Sequence, residues 1–315
     1  MSIIEKALSK MGDQSNAVEE AKSQSTAAAA HAPLIEQAHA KSEAKAAISS
    51  EPASASTPVS SVALDAQNSR LLKLDLNRLR ARGLLTSDDE RGHMAEEYRM
   101  IKRPLLANAF GPNPVRKGNM IMVTSALPGE GKSFSAINLA ISIAMELDRT
   151  VLLVDADVAK PRLPEYLGFQ AEHGLLDVLR QDVRDLSSVI YRTNIDKLSI
   201  LPAGRTYARA TELLASDAMD RLITDLANRY SDRLVLFDSP PLLVTSESNV
   251  LASHMGQIVM VVESGKTPKS ALREALSRLG DACGVVGLLL NKSALPNAGN
   301  YYGYYGYGGY SKHTT

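Results

Sequence analysis

The sequence predicts an α/β fold of the P-loop type, with a mostly parallel central sheet and helices on both faces. Three observations carry this. Short apolar runs without polar alternation recur along the chain. Segments of helical periodicity lie between them, and one run leads straight into the loop ALPGEGKS, residues 126–133. Strands apolar on both faces and alternating with helices belong to a parallel sheet covered on both sides.

The first aromatic residue is Tyr98, and cores are hard to build without large apolar anchors. Residues 13–89 therefore read as a largely disordered linker. Its Ala-, Ser-, Glu-, Lys- and Pro-rich stretches, such as STAAAAHAP and SSEPASASTPVSSV, bury too little apolar area to offset ordering entropy. Two islands stand out. Ile3, Ile4, Ala7, Leu8 and Met11 recur at helical spacing, giving a short amphipathic helix over 1–12 that needs a partner to be stable. Arg70 to Leu85 mixes leucines with basic residues and could pack on the domain or contact something else.

The α/β domain is expected over 90–295. It opens with a helical pattern from Glu90, in which Pro104 could kink or split the helix. Strands follow from Met120, Val151, Leu198, Leu234, Ile258 and Val285, with helices over Ser133–Leu147, Ala210–Asn228 and Pro268–Leu279 between them. Residues 296–315 form a flexible Tyr/Gly-rich tail.

Charge and composition exclude several classes. A formal net charge of +0 gives no global attraction to nucleic acid or to an anionic membrane. The single cysteine, Cys283, rules out an intrachain disulfide. No run approaches the roughly 18–20 apolar residues that span a bilayer, and MSIIEKALSKMGDQ lacks a secretory layout. The expected location is cytoplasmic, with any membrane attachment at the inner face through a partner.

The loop itself is the strongest chemical signal. Strand, glycine-containing loop and helix follow one another, so the backbone amides of Pro128–Phe134 (Pro128 excepted, having none) can surround phosphate oxygens. Gly129 and Gly131 permit the turn, with Glu130 between them. Lys132 would reach the β- and γ-phosphates of ATP, and the Ser133 hydroxyl would ligate Mg²⁺. Two other apolar strands end on carboxylates, VLLVDAD on Asp155 and Asp157 and LVLFDS on Asp238. Ligands of open parallel sheets sit at strand C-termini, so all three carboxylates should converge beside Lys132 and Ser133. Any one alone could be an ordinary cap or loop residue. Asn291, closing the last strand, could hydrogen-bond adenine or simply be a turn residue.

With ALPGEGKS, VLLVDADVAKPRL, GLLDVL, LPAG and ELL, LVLFDSPP and a tyrosine-rich end, residues from about 90 to 310 resemble the bacterial tyrosine kinases, P-loop enzymes that control polysaccharide synthesis and export. The N-terminal island and Ala/Ser linker are similar to the exopolysaccharide-locus subgroup associated with the exosortase (PEP-CTERM) system. The resemblance implies that Asp155 and Asp157 bind Mg²⁺ and help activate a tyrosine hydroxyl, with Lys132 catalytic beside them and Asp238 completing the metal site. It also implies a homo-oligomer, a separate inner-membrane polysaccharide chain-length or export protein as activator, and a protein-tyrosine phosphatase. Departures exist. Ala159 and Lys160 replace two family arginines, the asparagine–proline pair before ELL is missing, and the oligomerisation helix reads Glu96, Arg99, Lys102 where the family often has a final arginine, with Arg103 adjacent.

Tyr301, Tyr302, Tyr304, Tyr305, Tyr307 and Tyr310 are six of the chain's 11 tyrosines, set among glycines that disfavour regular structure. Beside a kinase-like P-loop they read as phosphoacceptors. Each phosphate adds about −1.5 to −2 charges, so modification would drive the tail from an acidic site. A ParA/MinD-type ATPase is the nearest rival. Such proteins carry an early P-loop lysine where this chain has Leu127. A nucleotide-dependent scaffold is the other.

Overall fold

The computed structural model describes residues 70–89, 92–229, 232–280 and 283–293. The amphipathic island 1–12, most of the expected linker and the six tail tyrosines lie outside them. One sheet of eight strands organises everything described. In chain order the strands are β1 (Arg70–Leu72), β2 (Met120–Ser125), β3 (Thr150–Asp155), β4 (Tyr191–Thr193), β5 (Leu198–Leu201), β6 (Arg233–Asp238), β7 (Gln257–Glu263) and β8 (Val285–Asn291). Their spatial order is β1-β4-β5-β3-β6-β2-β7-β8. Every pairing is parallel except β4 with β5.

The period-2 geometry of a strand divides its side chains between two faces, and two separate apolar clusters result. Met122, Leu152, Val154, Phe237 and Met260 face one way. Ile121, Val123, Leu153, Leu236 and Val261 face the other. Helices α1 (Leu76–Ala81), α2 (His93–Phe110), α3 (Lys132–Ala144) and α4 (Leu163–Leu167) cover the second cluster. Helices α5 (Leu175–Leu179), α6 (Ala210–Leu214), α7 (Asp217–Arg229), α8 (Glu247–Ala252) and α9 (Lys269–Leu279) cover the first.

Three expectations change. The linker expected to reach residue 89 stops short of it, because β1 adds to the sheet edge and Leu79, Leu84 and Leu85 are buried under α3 at 2% exposure or less. The Leu85 amide donates to Asn138 Oδ1 at 2.7 Å, and Leu74 and Asn194 exchange two hydrogen bonds of 2.7 and 3.1 Å. Of the two readings left open for Arg70–Leu85, packing on the domain is the observed one. The helix expected over Ala210–Asn228 is two. Ser216 interrupts it, with its hydroxyl bonded to the Leu213 carbonyl at 2.7 Å and its own carbonyl receiving the amides of Met219 and Asp220. Pro104 does not split α2. It lies on the exposed face with Met100, whose carbonyl loses a helical donor on the water-facing side.

Within α2, Glu96 and Arg99 pair with each other on the outside. Lys102 points inward. It is buried, bonds to the Ser142 carbonyl at 2.6 Å and pairs with Glu146 at 2.6 Å. It therefore braces α2 on α3 and cannot act as the outward third member of an oligomerisation motif. Arg103, beside it, is exposed.

Candidate active site

Strand β2 ends at Ser125 and α3 starts at Lys132, with two left-handed glycines in the turn between. Gly129 has φ +86° and Gly131 φ +97°, a region that L side chains rarely adopt. An added Cβ at Gly131 would also meet Asn291 Nδ2 at 2.1 Å. Pro128 and Gly129 are exposed at the mouth while Glu130 is buried. Lys132, Ser133 and Phe134 form the first turn of α3, where amides lack intrahelical acceptors and the dipole favours an anion. The Phe134 side chain turns away into the core beside Gly83, so only its backbone faces the loop.

The loop is held open from β7 and β8. Asn291 Nδ2 donates to the Glu130 carbonyl at 2.8 Å, and Lys292 Nζ donates to the Gly129 carbonyl at 2.8 Å. A trans peptide points its N–H opposite to its C=O. Anchoring those two carbonyls on β8 therefore turns the amides of Glu130 and Gly131 the other way. Glu130 braces the same loop by accepting the Leu127 amide at 2.7 Å and the Thr267 hydroxyl. Lys292 is kept in place by Glu263 at 3.2 Å. Sequence reading assigned Asn291 to adenine and passed over Thr267, Lys292 and Glu263. The N-K pair closing the last apolar strand was the available signal for Lys292.

Lys132, Asp155, Asp157 and Asp238 come together at the C-terminal ends of β3 and β6. Lys132 Nζ lies 2.6 Å from Asp157 Oδ2 and 3.9 Å from Asp238 Oδ1. Asp155 Oδ2 accepts the amides of Arg162 and Leu163 at 3.1 and 3.0 Å, whereas its Oδ1 has no partner. Neither oxygen of Asp238 has a hydrogen-bond partner, although the Ser133 hydroxyl is near enough to lower its pKa. Both carboxylates are fully buried.

Burial is the main force on these groups. It pushes Asp155 well above the usual carboxylate range, helped by the charges of Asp238 and Asp157 and opposed by the Leu163 amide and Lys132. Asp238 is pushed up to about 6, by burial first, with Lys132 and Ser133 pulling down and Asp157 pushing up. For Lys132 burial acts downward, but the charges of Asp238, Asp157 and Asp155 overcome it and its pKa lies above the ordinary value.

Buried carboxylate oxygens without partners call for a cation or a proton. Asp155 Oδ1 and both oxygens of Asp238, beside the Ser133 hydroxyl, fit a hard, oxygen-liganded ion such as Mg²⁺. Among the described residues no group of three His, Cys, Asp or Glu side chains could hold a metal ion alone. An ion here needs ligands beyond the carboxylates, which phosphate oxygens and water commonly provide for Mg²⁺.

Known proteins are similar to this chain over the residues that build the site. A family model described as an AAA domain matches residues 118–275, a span holding the loop and all three carboxylates. The tyrosine-protein kinase YwqD of Bacillus subtilis is 30% identical over 221 residues, covering 70% of this chain and 90% of that protein. This chain belongs to the bacterial tyrosine-kinase family. The tyrosine-protein kinase wzc of Salmonella typhimurium is 32% identical over 56% of this chain and 24% of its own length. The succinoglycan biosynthesis transport protein ExoP of Rhizobium meliloti is 34% identical over 68% of this chain and 27% of its own. The chain thus spans about a quarter of these two longer relatives. Among solved structures, the VpsO kinase domain superposes with a TM-score of 0.53 at 29% identity, over 62% of this chain and 94% of that one. The BceF tyrosine kinase domain gives 0.57 at 25%, over 71% and 91%. Among the described residues no helix is long and apolar enough to cross a membrane.

Proposed function

We propose that this bacterial tyrosine kinase uses ATP and Mg²⁺ to phosphorylate Tyr301, Tyr302, Tyr304, Tyr305, Tyr307 and Tyr310, in trans within a homo-oligomer. The observation that carries the reading is the pairing of the loop lysine with a strand-end carboxylate, Lys132 with Asp157 at 2.6 Å, inside a ring that also includes Asp155 and Asp238.

The amides of residues 129–134 hold the β- and γ-phosphates, and Lys132 swings from Asp157 to neutralise them. Ser133, Asp155, Asp157 and Asp238 would hold Mg²⁺, which when bound screens the charge of the transferring phosphoryl group. Asp157, freed from Lys132, orients the incoming tyrosine hydroxyl and takes its proton, while Asp155 fixes the loop 157–163 through the Arg162 and Leu163 amides. Asn291 is the candidate for the adenine edge, having an amide that must first leave the Glu130 carbonyl.

ExoP is named for succinoglycan biosynthesis and transport, which supports a role in exopolysaccharide synthesis or export. In this reading an inner-membrane export protein activates the kinase, holding it at the inner face of the membrane, and a tyrosine phosphatase resets it. The test is phosphotyrosine detection on purified protein given Mg²⁺ and ATP, alone and with the activator's cytoplasmic segment. Lys132→Met chains mixed with active chains lacking 301–315 should become labelled. Hydrolysis without any phosphotyrosine in both conditions would instead mark a ParA/MinD-like ATPase.

A further inference from the structure

Strand β8 ends the sheet with one face bare. Val286, Leu288 and Leu290 are 38%, 59% and 62% exposed, whereas Leu289 between them is 8% exposed. One strand inward, on the same face, the paired residues Ile258 and Met260 are buried with Ala275 and Leu279 of α9. Helix α9 thus covers β7 and leaves β8 uncovered. Being last in the sheet, β8 also has no strand on its outer edge among the described residues. A bare aliphatic strip on an open edge invites an added strand.

The chain itself continues from this edge. The chain leaves β8 through Lys292, whose φ of +56° lies in the left-handed region, where chain direction reverses readily. The residues that follow, ALPNAGN from Ala294 to Asn300, are rich in turn formers. A reversal there would send the next residues back along β8. Leu290 to Val286 is about 13 Å of strand at about 3.3 Å per residue, and Tyr301–Tyr305 has the same length. In an extended chain Tyr302 and Tyr304 share a face, as do Tyr305 and Tyr307. So short a tether gives an effective concentration in the millimolar range, above that of a separate partner.

We propose that β8 is the docking strip for the unmodified segment Tyr301–Tyr307 of the same chain, added as an antiparallel strand with its rings on Leu288 and Leu290. Phosphate on those rings would set charge against aliphatic surface and release the segment. That release rests on the kinase reading; the docking does not.

Chymotrypsin cleavage of the full-length protein at the tail tyrosines tests this directly. Leu288→Ser/Leu290→Ser should accelerate cleavage there roughly tenfold, since proteolysis follows the population of the open form; unchanged rates overturn the proposal. Should that variant not fold, Tyr302→Asp/Tyr304→Asp leaves the folded domain untouched, and hydrogen exchange of the 286–290 amides is read instead. Faster exchange than in the parent chain, independent of protein concentration, supports docking. Equal exchange, or protection that grows with concentration and so belongs to a second copy, overturns it. The failure of phosphotyrosine to appear would bear on the kinase reading alone.

Discussion

Lys132 and Asp157 form a buried pair, 2.6 Å apart with side chains 10% and 7% exposed, so the loop lysine is already matched by a carboxylate. If Lys132 binds phosphate as proposed, a nucleotide has to displace that carboxylate first.

Asp157→Asn is therefore expected to bind metal-free ADP about five- to tenfold more tightly, about 1 kcal/mol, while losing phosphorylation. Calorimetric titration checks the first part. Weaker ADP binding would show that the pair does not compete with phosphate.

Asp238 supplies a pH dependence. Its pKa is about 6 in the fold against 3.8 unfolded, so between these values the folded state holds the extra proton. Stability contributed by the neutral form is present below about pH 4 and is lost as pH rises to about 6. Asp238→Asn should raise the stability of the nucleotide-free protein by about 1–3 kcal/mol at pH 7.5, and less at pH 4.5. Urea melts at both values measure this. Since only the ionised form holds a cation, Mg²⁺-dependent nucleotide binding should fall below about pH 6 in the parent protein.

The segment ahead of α2 is structural. Leu85→Ala should cost about 2–5 kcal/mol, because Leu85 is 1% exposed. A chain begun at residue 90 should lose more, since Asn138 Oδ1 also loses its donor. Denaturation midpoints decide it, and a truncated chain as stable as the parent would contradict the packing described.

Lys102→Met is expected to lower stability by about 1–2 kcal/mol, less than for a fully buried pair because Glu146 is 38% exposed and can turn to water. Subunit association by sedimentation should not change. Altered association with unaltered stability would return Lys102 to an interface.

The P-loop, the long strands and the strand-end carboxylates were legible because each couples a local pattern to a chemical need: an apolar run, then glycines or an acid. Strands β1 and β4 were not, being three residues long and partly exposed. The leucines at 79, 84 and 85 were visible, but their partner Asn138 lies 53 residues beyond Leu85. Ser216 looked like any helix residue until its hydroxyl and carbonyl were both seen to be engaged. The N-K pair closing β8 marks Asn291 and Lys292 as polar strand-end residues, but the backbone carbonyls that they hold are announced by no residue type. Lys102 kept its motif spacing yet faces the core, since spacing along a helix does not say which side is wet.

The sheet order begins with β1 and ends with β8. Arg70 opens the strand at one rim and Ser293 follows the strand at the other, seven strand spacings or about 34 Å away. Substitutions at two rims that far apart share no contacts, so their effects on stability should simply add.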